Sequence, residues 1–165
     1  KTELKEKLAE LQRADIEDNH VNGSEWQQTH ALMVEQYIDT YPKYDVDIAA
    51  LIFALNTDVQ VRDYAMGLNN PNSDSQYLAW HNLVTIAPAS WRNAQACLAS
   101  SLKYEQGDAT EAVTMLNNTQ ASYPLAQLLT RVYTAGWDST AFATMRAELH
   151  PKVVALIFNK EEVNA

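Results

Sequence analysis

Residues 90–124 read SWRNAQACLASSLKYEQGDATEAVTMLNNTQASYP, and this stretch decides the fold class. Ser90 can cap a helix over 91–106, and Gly107 then stands where a chain leaving a helix turns left-handed, a conformation glycine adopts at little steric cost. Asp108, followed by Glu111, forms a capping box that opens a second helix over 109–119. Tyr123-Pro124 starts a third, because proline in a first turn lacks only an N–H that the helix does not use. The stretch therefore predicts paired helices joined by a tight turn, with a small residue such as Ala112 letting them approach closely.

The same signals recur outward in both directions. Leu4, Leu8 and Leu11 place one apolar stripe on a charged helix running to about Asp18, which either docks or projects. Asn19 to Gly23 breaks it, and Ser24 with Gln27 is a second capping box ahead of a helix that Tyr41-Pro42 ends. Asp45 can cap Val46 to Leu55, which is apolar nearly all round and so reads as buried. Thr57 or Asp58 caps the next helix, through Leu68, before the loop Asn69-Asn70-Pro71-Asn72. Asp74 or Ser75 opens Gln76 to Ile86, which Pro88 stops. Past Gly136, Asp138 caps Ser139 to Leu149, and Pro151 permits a further turn or two through Phe158. With only 4 Gly and 5 Pro in 165 residues and no sustained apolar–polar alternation, a β-sandwich or barrel is excluded. The expectation is an all-α fold: nine or ten short helices of about 10–16 residues, packed as an irregular bundle in one domain over 1–165.

Charge narrows the partners. The chain carries a net charge of -9, with 12 Lys and Arg against 21 Asp and Glu. Residues 14–61 hold nine carboxylates against Lys43 alone, which places nearly all of the excess in one third of the chain. Nucleic-acid binding needs the opposite balance, and an acidic surface repels anionic membranes. The stretch is either a solvated face or an attractor of basic partners. The longest apolar run, Ile48 to Leu55, is far short of the ~18 residues a spanning helix needs. No secretory signal pattern is present, and the lone Cys97 suits a reducing compartment, so the expected location is the cytoplasm. The chain opens Lys1-Thr2-Glu3-Leu4, without an initiating Met and already in a helical pattern, which suggests either trimming or a piece of a longer protein.

Two resemblances add to this reading. Gly107-Asp108, Ala112 and Pro124 resemble one tetratricopeptide repeat, although Ala96, Ser100 and Lys103 replace its usual Trp, Gly and aromatic. The order Val61-Arg62-Asp63, Trp80, Leu98 to Tyr104, Gly107-Asp108, Ala112, Tyr123, Leu125-Ala126, Leu128-Leu129 and Gly136 is similar to the C-terminal helical half of domain-of-unknown-function family number 4192, over roughly residues 45–140. Members are found in actinobacteria and their phages. Ala109 stands where the family usually repeats glycine, and the proline that commonly follows its last glycine is missing. The resemblance implies either a preceding α/β half, as is general in the family, or a free-standing helical relative, and carries no activity.

No catalytic constellation emerges. Glu17 and His20 have the Glu-x-x-His spacing of a helical metal site, but His30, His81 and His150 have no carboxylate three residues earlier, so no metal or cofactor is expected. Cys97, between Ala96 and Leu98, reads as a core thiol, and no nucleophile elbow or phosphate-binding glycine loop occurs. Arg62 and Asp63 are either an ion pair locking two helices or a receptor for an anion or a carboxylate terminus. Trp26, Trp80, Trp91 and Trp137 read as core, and an exposed one would mark a contact site. If the repeat geometry holds, a concave groove displays Cys97, Ser101, Tyr104 and Glu105. The expected function is thus a non-catalytic helical interaction or regulatory module with a protein partner or an upstream domain. The alternative is a helical accessory to an active half preceding Lys1.

Overall fold

The computed structural model describes residues 2–18 and 23–158, and every regular element among them is helical. In order these are α1 (Thr2–Asp18), α2 (Ser24–Thr40), α3 (Ile48–Thr57), α4 (Val59–Gly67), α5 (Asp74–Ile86), a 3-10 turn (Ala89–Trp91), α6 (Asn93–Glu105), α7 (Ala109–Leu116), α8 (Pro124–Thr134) and α9 (Ser139–Phe158). The all-α, irregular bundle expected from the sequence is what forms. His20, and with it the Glu17–His20 pairing, lies outside the described residues, as does the expected break apart from Gly23.

Helix α6 is the axis. Its alanines and serines keep it thin, so α3, α5, α7, α8 and α9 all pack around it, and nearly every residue from Asn93 to Glu105 is buried. The turn to α7 forms as the sequence requires, with Gly107 at φ +86° and the Asp108 carboxylate accepting from the Glu111 N–H at 3.0 Å. Ala112 is fully buried, and its carbonyl accepts from the Ser100 hydroxyl at 2.6 Å. Helix α3 is buried from Leu51 to Leu55, as its all-round apolar pattern predicts. Helix α1 docks rather than projects: Leu8 is fully buried in the main core, with Leu4 and Leu11 packed against it.

Several caps differ from expectation by a residue or by source. Gly23, not Ser24, precedes α2, and no side chain caps that end. Asp47 rather than Asp45 caps α3 and Ser73 rather than Asp74 or Ser75 caps α5, whereas Asp58, one of the two residues expected, does cap α4. Ser90 does not cap α6. The 3-10 turn at Ala89–Trp91 intervenes, and Asn56 on α3 supplies Oδ1 to the Ala94 N–H at 2.9 Å. That cap comes from a distant helix, so no local rule could find it. The same Asn56 donates to Gln95 Oε1 at 3.0 Å, while Gln95 donates to the Trp91 and Leu83 carbonyls. Buried amides thus fix the register of α6 on α3.

Pro151 does not divide α9, contrary to the expected stop near Leu149. A proline inside a helix forfeits one backbone hydrogen bond and crowds the preceding turn. Tertiary contacts outweigh that here. Val153, Val154, Ile157 and Phe158 pack with Ala31 and Tyr64, and Gln28 Nε2 donates to the Ile157 carbonyl at 3.1 Å. Both halves of α9 therefore lie along one path, over α4 and against α2 and α6.

Candidate functional site

The expected concave face does not form. Cys97 and Ser101 are fully buried, and Tyr104 and Glu105 are nearly so. The reason is α9, which lies where such a groove would open. Tyr104 stacks on Tyr133 at 4.3 Å between centroids, meets Phe142 edge-on at 5.6 Å, and donates its hydroxyl to the Trp137 carbonyl. Ser101 shares a bond with Asn69 Nδ2 at 3.0 Å. Glu105 receives a bidentate grip from Arg146, with Nε to Oε2 at 2.8 Å and Nη2 to Oε1 at 2.6 Å. Burial pushes the Cys97 thiol up to about 12, opposed by the nearby Arg62 charge, so it stays a neutral core thiol.

Arg62 and Asp63 fare differently. Arg62 donates to Asp63 Oδ1 through Nε at 3.1 Å and Nη2 at 3.0 Å, and through Nη1 to the Tyr123 hydroxyl at 3.2 Å. Burial works against the guanidinium charge, but Tyr123 and Asp63 together hold its pKa above the ordinary value. The ion pair thus lies within α4 and does not itself lock two helices, contrary to one reading of the sequence; the Arg62–Tyr123 hydrogen bond is what ties α4 to the start of α8. The pair also lies at the wall of a cleft.

This cleft has a volume of about 430 Å³ and opens between α4, α8 and α9. Helices α8 and α9 both rest on α6 and meet little of each other, which leaves the gap. Leu125, Leu128, Leu129 and Val132 line it from α8, at the spacing of a single helix face. Phe142, Met145, Leu149 and Val153 line it from α9 in the same way. Leu128, Trp137 and Leu149 remain 47%, 43% and 48% exposed, so three of the large apolar side chains left in solvent gather at one mouth. The sequence expectation that an exposed tryptophan marks a contact falls on Trp137; Trp80 is fully buried and Trp26 and Trp91 are partly so. Leu128 was quoted from the sequence only within the family-like motif, and Leu149 and Lys152 were not singled out as contact residues. The available signal was the excess of apolar residues on α9, more than one buried face requires.

His150 also lines the cleft. Its Nδ1 is buried without a hydrogen-bond partner among the described residues, its ring lies 5.3 Å from that of Tyr64, and a Cβ on Gly67 would come within 1.9 Å of Nδ1. Gly67 is thus required for this close approach, and its carbonyl accepts from Arg146 Nη1 at 3.0 Å. Burial lowers the His150 pKa, the Arg146 charge lowers it further, and Glu35 partly opposes them. Protonation is therefore disfavoured in the folded chain, and the unfolded chain binds more protons as pH falls through the ordinary histidine range. Stability from this group is present above about pH 6.5 and is lost below it. We expect the thermal midpoint to fall more for the native chain than for His150→Asn between about pH 7.5 and pH 5.5. Equal losses in both would show that His150 is not responsible.

Among the described residues no three His, Cys, Asp or Glu side chains converge as a metal site, and no helix is long and apolar enough to cross a membrane. The cleft has two arginines, each already engaged by a carboxylate, together with Asp63, His150 and Lys152, and the rest of its wall is apolar apart from Gly67. A family model described as Domain of unknown function (DUF4192) matches residues 1–139. The chain belongs to this family. The match to DUF4192 begins at the first residue, wider than the 45–140 suggested by the sequence motifs, and it takes in α1 to α8 with Arg62, Asp63 and Leu128. Most of α9, which forms the other wall of the cleft, lies beyond the matched region. No curated protein and no solved structure gives a significant match to the chain.

Proposed function

We propose that this DUF4192 chain is a non-catalytic interaction module that binds a protein partner through the cleft between α4, α8 and α9. The observation that carries this reading is the gathering of Leu128, Trp137 and Leu149, three exposed large apolar side chains, around one concave opening. Contiguous apolar surface of this kind costs solubility unless something covers it, and interface centres are enriched in tryptophan. A second cleft between α7 and α8, lined by Val113, Leu116, Gln120, Gln127 and Thr130 among others, is richer in neutral polar groups and lacks the tryptophan.

The test is capture from native-host lysate with three baits: the native chain, Leu128→Asp/Leu149→Asp, and the control Leu78→Asp/Val113→Asp. Leu78 and Val113 are about as exposed but lie outside the cleft, so both double variants carry the same charge and comparable surface changes. A stoichiometric partner kept by the control and lost by the cleft variant is the expected result. A partner retained by the cleft variant, or lost equally by both, contradicts the assignment.

A further inference from the structure

We infer that the occupant of this cleft is an amphipathic helix from another protein, apolar on one face and flanked by acidic residues; this rests on the cleft being the interaction surface. The walls set the shape. Leu125 to Val132 on α8 and Phe142 to Val153 on α9 run about 10 Å and 16 Å at the helical rise of 1.5 Å per residue. Two apolar rows of that length, separated by a gap and floored by a third helix, fit two to three turns of a helix laid in the groove. The rows also present their side chains at three- and four-residue intervals, the spacing that a helical ridge meets.

Charge sets the flank. The ionised groups lining the cleft are Arg62, Arg146 and Lys152 against Asp63 alone, in a chain whose net charge is -9. Asp63 and Glu105 engage the two arginines, but Lys152 is exposed and has no ion pair among the described residues. Arg62 uses three of its five N–H donors on Asp63 and Tyr123, which leaves two for an incoming carboxylate. His150 adds no positive charge near neutrality, because its pKa is lowered. With both guanidinium groups neutralised, the uncompensated charge at the cleft is Lys152, which repels a basic flank on the partner and attracts an acidic one. A second copy of this chain is a poorer occupant. The apolar stripe of its most charged helix, α1, is already committed through Leu4, Leu8 and Leu11.

The experiment uses two labelled peptides of about 18 residues with the same leucine face, one with glutamate and one with lysine on the polar face. Anisotropy titrations with the full chain at low salt should give binding of the glutamate peptide about tenfold tighter than the lysine peptide. Lys152→Glu, at an exposed position, should remove that preference, and Leu149→Asp should abolish saturable binding of both. Equal or tighter binding of the lysine peptide overturns the inference. So does failure of the glutamate peptide to saturate by about 1 mM, a concentration that corresponds to only ~4 kcal/mol of binding. Dimerisation in sedimentation runs that Leu149→Asp abolishes would also overturn it, in favour of a second copy. If lysate capture still depends on the cleft while neither peptide binds, the partner chemistry falls and the interaction surface stands.

Discussion

Replacing Glu105 with glutamine lowers the unfolding free energy by about 3–5 kcal/mol. The Glu105 side chain is fully out of solvent and the Arg146 side chain is only 10% exposed, at the wall of the cleft, so water can replace little of a lost partner. Glutamine keeps the shape but removes the negative charge and turns two N–H donors toward a guanidinium that has only donors of its own. Arg146 also donates to the Gly67 carbonyl, so the loss spreads from α6 to the contact of α9 on α4. Replacing both members, Glu105→Leu with Arg146→Met, should cost far less than the single change, because no charge is then left buried. Urea unfolding of the three proteins decides it. A Glu105→Gln cost below about 1 kcal/mol would mean that the pair behaves as a screened surface contact. The same argument reverses an expectation drawn from the sequence, in which Tyr104 and Glu105 are displayed in a concave groove.

Trp80→Ala should cost a comparable amount, about 3–5 kcal/mol. The indole is fully buried in the main core, 6.2 Å from the Tyr37 ring, and its Nε1–H donates to Asn69 Oδ1 at 3.1 Å. Asn69 in turn donates to Ser101 Oγ at 3.0 Å and the Leu98 carbonyl at 3.3 Å, so one side chain joins the α4–α5 loop to α5 and α6. Alanine leaves a cavity and an unpaired carbonyl oxygen together. Trp80→Phe refills most of the volume and should lose only about 1–3 kcal/mol, the cost of stranding Asn69. If Phe and Ala prove equally damaging, the hydrogen bond rather than the packing dominates at this position.

What the sequence made legible follows from the range of the forces involved. Helix starts and stops at Asp58, Gly107, Asp108, Pro124 and Gly136 were readable because each depends on backbone geometry within a few residues. The burial of α3 was readable because an apolar residue at nearly every position leaves no face for water. Helix α6 misled for the opposite reason: its small and polar residues resemble a half-exposed helix. Its polar groups are instead satisfied by Asn56, Asn69 and Arg146, which arrive from other helices. Pro151 misled likewise, since the contacts that carry α9 through it come from Ala31, Gln28 and Tyr64. Of the cleft, Arg62 and Asp63 could be singled out as charges in an unusual place. The gap between α8 and α9 could not, because it depends on how two helices lean on a third.

The measurement that bears most directly on the cleft is hydrogen–deuterium exchange of the full chain, alone and with its captured partner. Slowed exchange confined to α8 and α9, over residues 125–153, with the segment from Arg62 to Gly67, is the result this account predicts. Slowed exchange centred instead on the acidic residues 14–61, with α8 and α9 unchanged, would contradict it and place the partner on the opposite charge.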